Sequence, residues 1–78
     1  MSSKIESVLL PARLTGMNQR VTCGVSAIKI TQPDTGEYSY TRPKIVGAPL
    51  DLPDGDYLVR FAGLTLEVHR HRGVWMGT

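Results

Sequence analysis

From Tyr57 onward the chain alternates apolar and polar residues with a period of two. Tyr57, Val59 and Phe61 are interleaved with Leu58 and Arg60, and Leu64, Leu66 and Val68 with Thr65, Glu67 and His69. Side chains alternate faces along a strand, so each run reads as a strand with one dry side. A two-residue turn at Ala62-Gly63 sets Phe61 opposite Leu64, Val59 opposite Leu66 and Tyr57 opposite Val68, which gathers six apolar residues on one face. A slip of one residue would send all six into water, so the register is well specified. The other face receives Asp56, Leu58, Arg60, Thr65, Glu67 and His69.

A second hairpin follows, with two registers open to it. A two-residue turn at Arg72-Gly73 would pair Arg70 with Trp75 and place both on the apolar side. A three-residue turn at His71-Arg72-Gly73 would keep Val74 and Met76 inside and leave Trp75 outside. The second is preferred because it avoids burying Arg70.

Upstream, Val21, Cys23 and Val25 alternate with Arg20, Thr22 and Gly24, which predicts a strand from Arg20 to Thr31. The large residues then change parity, to Ile28 and Ile30. Beside Gly24 and Ser26, that change suggests a β-bulge or a sharply curved strand. Pro33-Asp34-Thr35-Gly36 is a turn leading to a strand at Glu37–Thr41, with Tyr38 and Tyr40 on one face. Residues 43–53 hold three prolines and a glycine but also Ile45, Val46, Leu50 and Leu52, so this irregular stretch is expected to lie across the core. Asp54-Gly55 turns into the double hairpin.

Two readings stand for residues 4–10. Ser3-Lys4-Ile5-Glu6 matches a capping box, which would open a short helix ended by Pro11. The β-branched Ile5 and Val8 in so short a run favour a strand instead. Pro11–Gly16 reads as a bend or edge segment and Met17–Gln19 as a loop. The fold class that results is all-β. One domain over residues 1–78 forms a small antiparallel meander of five or six strands, rolled into a barrel or half-barrel.

Size and composition narrow the function. Seventy-eight residues make one domain of modest stability. Cys23 is the only cysteine, so no internal disulfide forms, and a reducing, cytoplasmic setting is the expectation. No apolar run approaches the roughly 20 residues of a membrane span, and the N-terminus is not read as a signal peptide. The net charge of +2 is confined to the double hairpin, where Arg60, Arg70 and Arg72 outweigh Glu67. Residues 1–56 hold six bases and six acids.

Candidate chemistry is sparse. His69-x-His71 puts two imidazoles on one side of a strand, with Asp56 opposite His69. A zinc site needs a third ligand, for which Cys23 and Glu67 would have to come close, and ordinary surface histidines are the expectation. Asp51, Asp54 and Asp56 miss the spacing of a calcium loop and read as turn and solubility residues. Gly-x-Ser-x-Gly, a glycine-rich phosphate loop and Cys-x-x-Cys are absent. Cys23 falls in phase with Val21 and Val25, as a core residue does. These readings point away from an enzyme, a cofactor, a metal or a small-molecule substrate.

What remains is a binding face. Arg60, His69, Arg70, His71, Arg72 and Trp75 cluster on the double hairpin, and Tyr38 and Tyr40 on the middle strand, followed by Arg42 and Lys44. Bases interleaved with aromatics suit single-stranded nucleic acid, but Trp, Tyr and Arg also dominate protein–protein hot spots. The small charge excess and the exposed edges of a small sheet favour a protein partner or a second copy of the chain. The expectation is a small accessory or inhibitory protein acting through protein contacts, with nucleic-acid binding as the alternative.

Overall fold

Three two-residue turns organise the sheet: Met17-Asn18, Ala62-Gly63 and Arg72-Gly73. Both residues of each turn have positive φ, the type I′ geometry that matches strand twist. A computed structural model describes residues 2–77. In it the chain forms six antiparallel strands: β1 (Lys4–Gly16), β2 (Gln19–Thr31), β3 (Tyr38–Val46), β4 (Gly55–Phe61), β5 (Leu64–His71) and β6 (Val74–Gly77). Their order is β3-β2-β1-β4-β5-β6. The two halves of the meander join where β4 pairs with β1, and β3 and β6 approach each other without a ladder between them. The result is a nearly closed barrel with no helix among the described residues.

Residues 4–10 are strand throughout, which overturns the helix reading. Nor does Pro11 end the element, because β1 runs on to Gly16. The physical reason is edge position. Gly16 and Gln19 close the first turn as a hydrogen-bonded pair, so even-numbered β1 residues bond to β2 and odd-numbered ones face the other way. Pro11 is odd and lies one step beyond the last β4 partner, Phe61 opposite Ala12. Its missing N–H costs no ladder bond.

The predicted bulge also changes place. β2 pairs with β1 without interruption. The register shift lies against β3, where Arg42 and Pro43 occupy the space opposite Ala27, and Arg42 takes a positive φ. β3 therefore extends past Thr41 to Val46, absorbing the start of the proline-rich stretch. Ile28 and Ile30 differ from Val25 and Ala27 because they lie on the opposite face of an unbroken strand.

The first C-terminal hairpin has the expected register. Tyr57, Val59, Phe61 and Val68 are buried with Ala12, Leu14, Val25, Ala27 and Leu52, and Leu66 packs against them. Leu64 shares their face but is exposed at the hairpin tip. The connection 47–54 divides: Leu52 enters the core while Leu50 stays 92% exposed. Strand lengths are unequal. β4 covers only Ala12–Thr15 of β1, whereas β2 covers all of it. The far halves of β1 and β2, with the start of β3, therefore project as a three-stranded arm, and the molecule measures 45 × 20 × 19 Å.

Candidate functional site

The sequence groups its candidate residues on the double hairpin and on the middle strand, and the structure divides the first group between the two faces of the sheet. The second hairpin turns at Arg72-Gly73, so Arg70 pairs with Trp75 and His71 with Val74. This is the register that the argument from burial disfavours. Arg70 is 5% exposed, yet its guanidinium is satisfied. Nε donates to the Leu52 carbonyl at 3.2 Å and Nη2 to the Leu50 carbonyl at 3.0 Å. Its Cζ lies 4.9 Å from the centroid of the Trp75 ring, which in turn meets Tyr57 edge-on at 5.2 Å. Arg70 and Trp75 therefore lock the barrel end from within and are not part of an outer contact face. Val74 and Met76 take the outward positions instead.

The same end is held by Asp54. Its carboxylate accepts the Arg72 amide at 2.8 Å and the Gly73 amide at 3.3 Å. Those two bonds hold its carboxyl below its ordinary pKa. The Tyr57 hydroxyl donates to the Pro53 carbonyl, and burial pushes its pKa up. Gly55 takes a φ of +148°, which residues with a side chain rarely adopt, with the flexible Met17 side chain lying over it.

His69 and His71 share the outer face. His69 Nδ1 lies 2.6 Å from Asp56 Oδ1, as the predicted register requires. Among the described residues no cluster of three or more His, Cys, Asp or Glu side chains could hold a metal ion. Cys23 sits on the inner face of β2, and burial raises its pKa, so it lacks the electropositive, accessible setting of a reactive thiol. Arg60 points outward directly opposite Arg13 of β1, an unfavourable like-charge pair.

Tyr38 and Tyr40 belong to the other end of the barrel. Tyr40 packs edge-to-face on Phe61 at 6.2 Å and on Tyr38 at 5.6 Å. Lys29 Nζ lies 4.3 Å from the centroid of the Tyr38 ring. Phe61 and Gly55 are opposite ends of β4, roughly 20 Å apart at 3.3 Å per residue. The tyrosines and the Arg72 turn therefore do not form one surface. Between β3 and β6 an apolar slot of about 320 Å³ opens towards the core, lined by Val25, Ile45, Val59, Leu66 and Trp75 among others.

The feature that sequence reasoning missed is the arm. On the face continuous with the barrel interior it carries Lys4, Glu6, Lys29 and Thr31, with Lys4 and Glu6 paired at 3.8 Å. On the opposite face, continuous with the barrel exterior, it carries Ile5, Leu9, Ile28 and Ile30. The inner face of the arm also carries Val8, Leu10, Ala27, Tyr38 and Tyr40, so it is mixed, whereas the large side chains of β1 and β2 on the arm's outer face are apolar. Ile5 and Leu9 are 68% and 70% exposed. The signal was present as the change of parity at Ile28 and Ile30, which also occurs when the outer face of one straight strand carries apolar residues.

Among the described residues no helix is long and apolar enough to cross a membrane. Comparisons with protein families, with curated proteins and with solved structures return no match.

Proposed function

We propose that this chain is a non-enzymatic, cytoplasmic accessory or inhibitory protein that works through protein–protein contacts, and that the arm is its contact element. The observation that carries this reading is the apolar outer face of the arm, with Ile5 and Leu9 more than two-thirds exposed on the part of β1 that, among the described residues, has no neighbouring strand on one side. Scattered single hydrophobes on a surface need no explanation, but a contiguous apolar set on one sheet face marks an interaction site. The contact surface therefore shifts from the double hairpin to β1 and β2. Arg60 lies next to the Phe61 end from which the arm projects, whereas His69, His71 and Arg72 lie at the opposite end of the barrel.

Ile28→Ser with Ile30→Ser is the direct test, because both side chains lie outside the barrel core. The double variant keeps the wild-type circular dichroism and loses the protein partners that the wild-type chain retains on a column. Equal retention by the two chains refutes the arm as the contact element. A second reading, nucleic-acid binding, draws on the outward Arg13–Arg60 pair. It requires a mobility shift at low salt that collapses as salt rises.

A further inference from the structure

The unpaired edge of β1 is self-complementary. It runs from Lys4 to Pro11, and among the described residues no strand pairs with it there. The two-residue turn at Met17-Asn18 fixes which residues point their backbone groups outward: Ile5, Ser7 and Leu9 offer an N–H and a carbonyl, and Pro11 only a carbonyl. The margin on β6 is only four residues long. β3 carries the Arg42-Pro43 bulge and Lys44, devices that discourage edge pairing, whereas Ile5–Leu9 has neither bulge nor proline.

We propose that a second copy of this chain pairs with β1 edge to edge, antiparallel, about a twofold axis at Ser7. This rests on the reading of the arm as the contact element and names one occupant of its edge. A twofold axis perpendicular to the sheet keeps outer residues on the outer face, so only registers centred on a residue are allowed. Three such centres lie near the middle of the free edge. Centring on Glu6 sets two carboxylates directly opposite each other, which is unfavourable. Centring on Val8 sets Ile5 opposite a proline with no N–H to give. Centring on Ser7 avoids both. It pairs Ile5 with Leu9 of the other copy, Ser7 with its mate and Leu9 with Ile5, forming about six backbone hydrogen bonds.

The side chains agree with that register. Each of the two most exposed apolar residues of β1 gains the other as its cross-strand neighbour on the outer face. Seven residues, Lys4–Leu10, fit before the β4 of the other copy begins at Ala12. The product is a six-stranded sheet across two arms, with Ile5, Leu9, Ile28 and Ile30 of both copies on one continuous face.

Cysteine cross-linking in a Cys23→Ser background tests the register. In the paired state the two Ser7 Cα atoms lie about 5.5 Å apart, within disulfide range. The two Ile5 positions lie roughly 14 Å apart, four residues along the strand. Under mild oxidation Ser7→Cys therefore forms a covalent dimer about tenfold or more faster than Ile5→Cys, because its thiols meet at the effective concentration of a paired site. In parallel, the wild-type chain sediments as a dimer and Ser7→Pro as a monomer with unchanged circular dichroism, since the Ser7 N–H is not used by β2. A wild-type chain that stays monomeric at high concentration, or equal cross-linking at the two positions, overturns the pairing. A monomer whose partner retention still depends on Ile28 and Ile30 would sink the self-pairing alone. A dimer whose retention ignores them would sink the arm-face reading alone.

Discussion

Replacing Arg70 by methionine removes the guanidinium while keeping much of the stem's volume. The Leu50 carbonyl belongs to an exposed residue and can turn to water, whereas the Leu52 carbonyl belongs to a residue only 7% exposed. An orphaned buried acceptor costs about 1–3 kcal/mol. Loss of the cation held over the Trp75 ring costs about another 1 kcal/mol, and burying the thioether recovers part of that sum. The net expectation is a loss of about 2–3 kcal/mol. A domain of this length has only about 4–12 kcal/mol in all. With a urea slope of about 1 kcal/mol/M, the midpoint falls by about 2–3 M. Trp75 is the only tryptophan and sits against the mutated side chain, so its fluorescence reports the transition, with circular dichroism as the independent probe. Arg70→Lys loses nearly as much, since an ammonium cannot span both carbonyls and has no planar face for the indole. In either variant, amides of residues 47–54 exchange faster because the connection has lost its clamp. A methionine variant within about 0.5 kcal/mol of wild type would refute the view that Arg70 pins Leu52 into the barrel.

Asp54 has its folded-state pKa depressed by the amides of Arg72 and Gly73. Its stabilising contribution is therefore present above the ordinary value of 3.8 and is lost as pH falls below it, so urea midpoints drop in that acid window and Asp54→Asn flattens the drop. Burial of Cys23 raises its pKa, so the folded chain alkylates more slowly than the unfolded chain at the same pH, as a thiol-reactive dye would record. Gly55→Ala puts a side chain on a residue with φ +148° and destabilises by about 1–3 kcal/mol through backbone strain, the half-exposed Met17 side chain moving aside, visible as a lower thermal midpoint. Gly36→Ala has a positive φ but open space around its Cβ, so it costs about 1 kcal/mol, the strain alone.

Local pattern carried much of this fold. The alternation from Tyr57 to Val68 specified both a strand pair and its register, because a one-residue error would have exchanged core for solvent. The turn at Pro33–Gly36 was equally readable, since its residues encode their own dihedral angles. The Arg70–Trp75 pairing was not. Its plausibility depended on carbonyls supplied by Leu50 and Leu52, which come from a connection whose path no local rule describes. The same limit hid the arm. Ile28 and Ile30 mark a face, but which face is dry depends on where β4 stops along β1, and four paired residues decide that. Pro11 shows the point in one position: a helix terminator by local rule, it lies within a strand because the neighbouring strand has already ended. Periodicity along the chain assigns side chains to two sides of a ribbon, and only the ribbon's closure on itself says which side meets water.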